Sequence, residues 1–374
     1  MGSGFAARPG RRAFVACAAA LFLCGVLCGG APPQNKAEGL APDKVAQIRK
    51  LVRAEMAKRR IPAISVAVGD DYRLVWSEGF GVADLENSVK ARADTVYRLG
   101  SISKPIAAVA VMQLAERGLI DLDASIRKYV PVFPEKPWTV TARHLLSHTS
   151  GIRHYATVAE VNSTRHYSNS SDPIAIFAAD PLLFEPGTKF SYTTYGYCLL
   201  GAAIERVAGV PIGEYLKKNV FGPAGMERAG VDDLYAIVPH RARGYQITSS
   251  GTLANCDLAD TSNKIAGGGM LATAGDLVRF TIAFERGRLV KTATVDRMLT
   301  PAVLAGGAFS PYGLGWYVAE RDGGQWYWHS GAQQGVSTFL LALRKQGISV
   351  AVMANLERVN LAELASRIAL IVRR

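Results

Sequence analysis

The stretch that decides the fold is Tyr97–Pro105, YRLGSISKP, which runs directly into an apolar segment at 106–115. The β-prone start ends at Gly100, and the apolar segment is typical of a buried helix. Ser101 and Lys104 are three residues apart, so they project from the same face of the first helical turn. Burial favours the neutral form of a lysine, and a neutral amine can take the proton of a neighbouring serine hydroxyl. The stretch therefore indicates a serine nucleophile with a lysine base at the start of a buried helix.

A second Ser-x-x-Lys pattern occurs at Ser125–Lys128, so the spacing alone does not identify the nucleophile. This copy lies beyond Gly118, a residue type that commonly ends helices, and its flanks are polar. A nucleophile that depends on a neutral lysine needs a buried setting, which the apolar run after Ser101 offers. We therefore interpret the second copy as surface structure.

The composition is that of an ordinary globular protein, with 49% hydrophobic and 20% charged residues in a chain of 374. The 43 basic and 31 acidic residues give a net charge of +12. The densest basic tract, Arg49–Arg60, fits either the solvent-facing side of a helix or contact with an anionic surface, and we favour the helix. No nucleic-acid motif accompanies the tract, so we expect no nucleic-acid partner.

The N-terminal residues 1–31 have the order of a signal peptide: basic residues, an apolar run at 13–28, and then small residues. Residues 11–15, RRAFV, also resemble a twin-arginine signal. The alternative is an uncleaved membrane anchor, although the run is shorter than the roughly 20 residues of a full span. Residues 32–42 are interpreted as a linker. The segment predicts a periplasmic or secreted protein, or one anchored by its N-terminus and making no other membrane contact.

Two cysteines, Cys198 and Cys256, lie beyond this N-terminal segment. They are too few for a disulfide framework or a cysteine zinc site, and the sequence leaves open whether they pair. Cys198 lies in an apolar run, which is typical of a small core residue. No metal-binding pattern such as His-Glu-x-x-His occurs, so we expect neither a metal nor a cofactor.

The order of helical and strand patterns predicts an α+β fold. An amphipathic helix at 43–60 and a hairpin at 64–76 open the chain, with the second strand ending near Gly79 and Gly81. A mostly helical region follows. Three strand patterns and a helix then close the chain, at 324–329, 337–343, 347–355 and 361–372. We expect an antiparallel sheet built from both chain ends and flanked by the terminal helices, with the helical region inserted and a cleft between the two.

The predicted domain at 43–374 therefore has two parts. The sheet subdomain takes up about 43–100 and 305–374, and the helical subdomain takes up about 101–304.

Five blocks of sequence resemble a known family. They are GSISK at 100–104, LLSHTSG at 145–151, FSYTT at 190–194, YGLGW at 312–316 and HSG at 329–331. In this order they resemble serine beta-lactamases of class C and their relatives, which are D-alanyl-D-alanine carboxypeptidases, penicillin-recognising esterases and the mitochondrial beta-lactamase-like proteases of animals. The resemblance covers roughly Asp43 to the C-terminus. It implies a beta-lactamase/transpeptidase-like fold and hydrolysis through an acyl-enzyme.

The resemblance implies a role for each matched residue. Ser101 is similar to the acylated nucleophile, Lys104 to its activating partner, and Tyr192 to the tyrosine that shuttles protons. We expect the Tyr192 phenol to act as a base if nearby cations lower its pKa, and the alternative is a buried tyrosine that satisfies one hydrogen bond. His148 is interpreted as a loop histidine that holds the turn after it rather than as a base.

The strand motif Lys-Thr-Gly of the family is matched by His329, Ser330 and Gly331. The resemblance implies that the backbone N–H groups of Ser101 and Ala332 form the oxyanion hole. We expect Gly331 to lack a side chain so that substrate can lie along the strand edge.

Two positions depart from the family pattern. Thr194 stands where the family has asparagine, and it offers one hydroxyl instead of a carbonyl and an amide. His329 stands where the family has lysine, and it can be neutral at pH 7, so it holds a substrate carboxylate less firmly. Both departures are closer to the esterase and protease-like relatives than to efficient beta-lactamases.

The sequence therefore predicts an exported serine hydrolase that acts on a small peptide, ester, cell-wall fragment or beta-lactam. The alternative is a catalytically weak binding or scaffold protein that keeps the fold.

Overall fold

The computed structural model describes residues 39–374. The predicted signal peptide or anchor at 1–31 lies outside the described residues, as does most of the predicted linker at 32–42. The first helix begins at Pro42, where proline at the first helical positions costs no hydrogen bond.

The helices of the described residues lie mostly in the middle of the chain, and one lies near each end. They are α1 (Pro42–Arg59), α2 (Ser103–Glu116), α3 (Ala142–Leu146), α4 (Val158–Val161), α5 (Thr194–Ala208), α6 (Ile212–Leu216), α7 (Gly222–Ala224), α8 (Ile265–Gly268), α9 (Ala274–Glu285), α10 (Thr292–Met298) and α11 (Ala362–Arg373). A short 3-10 turn, Gly100–Ile102, leads directly into α2.

The strands are concentrated at the two ends of the chain. They are β1 (Ala63–Asp70), β2 (Arg73–Asp84), β3 (Val89–Lys90), β4 (Tyr97–Arg98), β5 (Gly230–Val231), β6 (Tyr245–Ile247), β7 (Leu253–Asn255), β8 (Met270–Ala272), β9 (Tyr317–Arg321), β10 (Gly324–Gln333), β11 (Val336–Leu343) and β12 (Ile348–Ala354).

Seven of these strands form one antiparallel sheet in the order β3-β2-β1-β12-β11-β10-β9. The two chain ends meet at its centre, where Ile64 of β1 lies opposite Ala354 of β12. The antiparallel sheet from both termini, with the helical region inserted between its halves, is therefore confirmed. It places β10, with the predicted strand motif, near one edge of the sheet.

The sheet separates two hydrophobic cores. Ile64, Val66 and Val68 of β1 pack with α1 and α11, the two terminal helices. Ala67, between them, faces the core built on α2, α5 and α9. Since alternate residues of a strand point to opposite faces, β1 serves both cores and can be apolar throughout. The 3-10 turn Gly100–Ile102, here named the nucleophile turn because it carries the predicted nucleophile Ser101, opens α2, the central helix of the second core.

The second strand does not end near Gly79 and Gly81 as the sequence suggested. β2 continues to Asp84. A Cβ on Gly79 would lie 2.3 Å from the Arg92 backbone nitrogen, and Gly81 has a φ of +76°, which favours glycine. The two glycines therefore allow close approach of a neighbouring segment and a local kink inside one long strand.

The helical region also contains strands that the sequence pattern did not indicate. β8 pairs with β4 and β5 in a three-stranded sheet, and β6 and β7 form a hairpin. Strands of two or three residues are too short to show a periodic pattern. The small sheet matters for the site because β8 holds β4, the strand that leads into the nucleophile turn.

Among residues 39–374, no helix combines the length and the apolar character needed to cross a membrane.

Candidate active site

The turn that carries Ser101 is wedged between β8 and the strands β10 and β11. The Leu99 N–H donates to the Met270 carbonyl at 2.8 Å, and the Thr338 hydroxyl donates to the Leu99 carbonyl at 2.8 Å. Gly100 has a φ of +54°, and a Cβ there would lie 2.7 Å from the Ala332 nitrogen. The backbone on both sides of Ser101 is therefore fixed by tertiary contacts before α2 begins.

Lys104 lies fully buried next to Ser101. Its Nζ is 3.2 Å from Ser101 Oγ, 3.2 Å from Thr194 Oγ1 and 2.7 Å from the Gly267 carbonyl oxygen. Burial lowers the pKa of Lys104 to about 7, and the positive charge of Lys264 adds to the lowering. About half of the Lys104 side chains are consequently neutral at pH 7, as a base for Ser101 requires.

Tyr192 lies close to the same amine, and the centroid of its ring is 4.8 Å from Lys104 Nζ. The condition for Tyr192 to act as a base, a pKa lowered by nearby cations, is not met. Burial raises the pKa of Tyr192 well above its ordinary value, and a hydrogen bond with Ser101 opposes the rise only in part. Tyr192 is therefore a neutral phenol at pH 7, which can donate a proton but is not ionised in advance to act as a base.

His148 positions the segment that carries Tyr192. It has a φ of +57°, its carbonyl accepts from the Ser191 N–H at 2.8 Å, and its Nδ1 accepts from the Thr193 N–H at 3.2 Å. The imidazole packs against the Tyr192 ring with 4.2 Å between ring centroids. Burial holds the pKa of His148 well below its ordinary value, so the ring is neutral. The histidine is a structural residue, but it holds the tyrosine segment as well as its own turn.

Thr194 begins α5, and Thr193 caps that helix. The Thr194 hydroxyl accepts a hydrogen bond from Lys104, and its N–H donates to His154 Nδ1 at 3.2 Å. The residue also lines the cavity that opens in front of Ser101. The predicted contact of Thr194 with substrate stays a prediction, and its hydroxyl is bonded to Lys104. It therefore orients the lysine from a position beside the substrate space.

His329 does not present a free nitrogen to a substrate carboxylate. Its Nδ1 lies 2.6 Å from the Ser330 carbonyl oxygen, which can only accept, so Nδ1 carries the proton. Its Nε2 therefore accepts from the Tyr312 hydroxyl at 2.8 Å. Burial lowers the pKa of His329 to about 3, and the charge of Lys104 contributes. We predicted that His329 would hold a substrate carboxylate weakly. In the structure the ring is neutral and both of its nitrogens are already bonded.

Packing within the protein is enough to require a glycine at Gly331. A Cβ at this position would lie 2.0 Å from the Leu99 carbonyl oxygen and 2.1 Å from the Thr338 hydroxyl. The glycine therefore lets β10 pack against the nucleophile turn. Its neighbours Ser330 and Ala332 are exposed and line the cavity.

The two nitrogens of the predicted oxyanion hole, those of Ser101 and Ala332, lie on segments that pack against each other. Ser101 lies in the first helical turn, where backbone N–H groups have no partner within the helix. The Ala332 nitrogen lies close beside the same turn, against Gly100. Both groups border the space in front of Ser101 Oγ.

A cavity of about 410 Å³ opens in front of Ser101, at the seam between β10 and the helical region. The predicted residues Ser101, Tyr192, Thr194, His329, Ser330 and Ala332 all line it. Sequence reasoning missed further lining residues, which are His154, Tyr155, Val161, Asn162, Asp257, Lys264, Tyr317, Gln333, Gln334, Glu357 and Arg358. Lys264 was detectable in principle, because it lies three residues before Gly267, the start of the glycine run that forms one wall.

His154 and Tyr317 shape the two sides of this cavity. The pKa of His154 is lowered to about 4, mainly by burial, so this imidazole is neutral at pH 7. The Tyr317 ring lies parallel to that of Tyr192, with 6.5 Å between the centroids. Neither side chain supplies a charge to the reacting atoms.

The two cysteines in the described residues do not line this cavity. Cys198 and Cys256 are both free, and Cys198 is buried in α5, as its apolar context predicted. Burial raises the pKa of the Cys198 thiol to about 12. Within residues 39–374, no group of three or more His, Cys, Asp or Glu side chains is arranged to hold a metal ion. The second Ser-x-x-Lys copy has an exposed Lys128, in agreement with a surface location.

Comparison with known proteins agrees with the family resemblance of the five sequence blocks. The family model described as Beta-lactamase matches residues 48–373. The serine beta-lactamase-like protein LACTB of mitochondria from Bos taurus is 29% identical over an alignment that covers 91% of this chain and 81% of the relative.

Two solved structures are also similar. The penicillin-binding protein homologue from Pyrococcus abyssi has a TM-score of 0.78 and 27% identity, covering 88% of this chain and 78% of the other. A D-stereospecific amidohydrolase from Streptomyces has a TM-score of 0.73 and 25% identity, covering 86% of this chain and 97% of the other.

Proposed function

Since this chain belongs to the beta-lactamase family, which contains serine hydrolases, we propose that it cleaves an amide or an ester by transferring the acyl group to Ser101. One observation carries the proposal. The Ser101 hydroxyl lies 3.2 Å from the amine of buried Lys104, whose pKa is lowered to about 7. A nucleophile with a base in hydrogen-bond contact, and with that base near its working protonation at neutral pH, is the arrangement that acyl transfer requires.

The first step is attack of Ser101 Oγ on the substrate carbonyl carbon. The hydroxyl proton passes to neutral Lys104, the new bond forms between Oγ and carbon, and negative charge develops on the carbonyl oxygen. The N–H groups of Ser101 and Ala332 donate to that oxygen. An oxyanion donor of this kind contributes about 2.7–4 kcal/mol to the stabilisation of such a transition state.

The second step is departure of the amine or alcohol. Tyr192 donates its phenolic proton to the leaving group as the bond to carbon breaks, and the Lys104 ammonium returns a proton to Tyr192. Water then attacks the acyl-enzyme with the same groups in reverse roles, which restores Ser101. The raised pKa of Tyr192 suits it to proton donation rather than to a lasting negative charge.

The substrate class is inferred from the cavity and from the relatives. A cavity of about 410 Å³ accommodates a small peptide, an ester or a cell-wall fragment. The similar protein from Streptomyces is named as an amidohydrolase specific for a D configuration, which supports amide substrates here. Efficient hydrolysis of beta-lactams is disfavoured, because the strand motif carries a neutral His329 where a cation would hold the antibiotic carboxylate.

Turnover measurements test this function. The full chain is mixed with 4-nitrophenyl esters and 4-nitroanilides, and acid-quenched samples are weighed by intact mass spectrometry. The proposal expects continuous product release together with a transient acyl adduct. A stable adduct without turnover would support the alternative of a binding or scaffold protein, and neither adduct nor turnover would contradict the proposal.

We also propose that the protein is exported. The support is the order of basic, apolar and small residues at 1–31. Fractionation of producing cells, with the mass of the recovered protein, tests this. Recovery of the full-length chain from the cytoplasm alone would contradict export.

A further inference from the structure

A second lysine, Lys264, lies on the wall of the same cavity and takes no part in the proton transfers above. The residue is 2% exposed. In the described part of the chain, its Nζ donates to a single acceptor, the Val161 carbonyl oxygen, at 3.0 Å. It also lies 5.1 Å from the centroid of the Tyr155 ring. Since an ammonium group has three N–H donors, two of them remain for a ligand.

Lys264 is charged under ordinary conditions. Burial lowers its pKa to about 8, so most of the side chains are still protonated at pH 7. A buried cation without an anionic partner is costly, and a ligand carboxylate would offset that cost. Such a carboxylate would find no cation at His329, which is neutral and fully bonded.

The other charged groups at the cavity are already bonded to protein. Asp257 accepts hydrogen bonds from Asn162 at 2.8 Å and from Gln246 at 3.2 Å. Glu357 accepts from the Gly335 N–H at 3.2 Å and lies 3.7 Å from exposed Arg358. Both carboxylates thus have protein donors, whereas the Lys264 ammonium has, among the described residues, one protein acceptor and no carboxylate partner, which favours an anionic over a cationic substrate group.

The position of Lys264 relative to Ser101 sets the distance between a bound carboxylate and the carbonyl that Ser101 attacks. Lys264 directly precedes α8, and the end of that helix approaches the nucleophile turn, where a Cβ on Gly268 would lie 3.8 Å from the Gly100 carbonyl carbon. Four helical residues advance by roughly 6 Å. An anionic group bound at Lys264 is therefore several bonds away from the carbonyl that Ser101 attacks.

We propose that Lys264 binds a carboxylate of the substrate and so selects acyl donors that carry a negative charge several bonds from the scissile carbonyl. This inference rests on the proposed acyl transfer to Ser101. It assigns the recognition of a carboxylate to the wall next to α8 rather than to the strand motif on β10.

The test compares two esters that differ in one charge, mono-4-nitrophenyl adipate and its methyl ester. The kcat/KM of the full-length protein is measured for both. We expect wild type to prefer the free carboxylate, and Lys264→Met to lower kcat/KM for that ester by about tenfold or more, the effect of losing a hydrogen bond to a charged group. The methyl ester should change less, and Lys264→Arg should keep the preference.

Lys136→Met is the matched control. Lys136 also donates to backbone carbonyls, those of Ala178 and Asp180, but it lies outside the cavity. We expect it to leave the preference between the esters unchanged. Equal losses on both esters in Lys264→Met would overturn the inference, because they would indicate that the lysine only adjusts Lys104.

A measurement on wild type keeps the inference testable if Lys264→Met does not fold. Inhibition by 4-nitrobenzoate is compared with inhibition by uncharged 4-nitrobenzamide. Stronger inhibition by the carboxylate is expected, and equal inhibition would overturn the inference. Absence of any acyl adduct on Ser101 would instead refute the proposed function, so the two failures are distinguishable.

Discussion

The rate at which Ser101 is acylated should rise with pH through about 7. Lys104 accepts the serine proton only when neutral, and its pKa is lowered to about 7 by burial. At a pKa of 7, roughly one lysine in eleven is neutral at pH 6 and about ten in eleven are neutral at pH 8. The rate constant should therefore increase about tenfold between these values and then level off.

Few other groups at the site change charge over this range. His154 and His329, with pKa values lowered to about 4 and about 3, stay neutral from pH 6 to 8. Lys264, whose pKa is about 8, begins to lose its proton only at the upper end. Its loss of charge would weaken its lowering effect on the pKa of Lys104, so the rate should approach the plateau more gradually.

The assay is the second-order rate constant for reaction with an uncharged fluorophosphonate, followed by intact mass after acid quench. Lys104→Met should react slowly and without the pH-dependent rise. Glu285→Gln is the control, since burial raises the pKa of Glu285 to about 7 although it bonds to Tyr327 outside the cavity. A flat or falling profile in wild type, or loss of the rise in Glu285→Gln, would refute the assignment of Lys104 as the base.

Three substitutions test other parts of the site. Tyr192→Phe should lower kcat/KM for a 4-nitroanilide by about 10²-fold or more but affect a 4-nitrophenyl ester less, because nitrophenolate leaves without a proton; equal losses would argue against proton donation. Gly331→Ala places a Cβ 2.0 Å from the Leu99 carbonyl oxygen and should destabilise the fold by about 1–3 kcal/mol in urea unfolding, and an unchanged midpoint would contradict the packing described. Tyr312→Phe leaves buried His329 Nε2 without its donor, which should cost about 1–3 kcal/mol in the same measurement; no loss would mean that the deduced tautomer is wrong.

The parts of the fold that sequence could predict are those set by local pattern. The apolar runs are long enough to be recognised in the sequence. They form β1, β11, β12 and α2. Ser101 and Lys104 are close in sequence, so their contact follows from helical geometry alone. The family resemblance then supplied Tyr192, which no local pattern distinguishes from the other tyrosines.

What sequence could not predict depends on contacts between distant segments. The neutral state of Tyr192 follows from burial against His148, which is far away along the chain. The occupied nitrogens of His329 depend on the Tyr312 hydroxyl, and the need for glycine at Gly331 depends on the Leu99 carbonyl. In each case the residue type was noted correctly, but its neighbours decide what it does.

The most direct test of the central claim is to locate the covalent adduct. Wild type and Ser101→Ala are treated with an uncharged fluorophosphonate, digested, and mapped by tandem mass spectrometry. We predict one phosphonylated residue in wild type, Ser101, and no adduct at the site in Ser101→Ala. An adduct of equal yield in Ser101→Ala, or a modified residue other than Ser101 in wild type, would contradict the account.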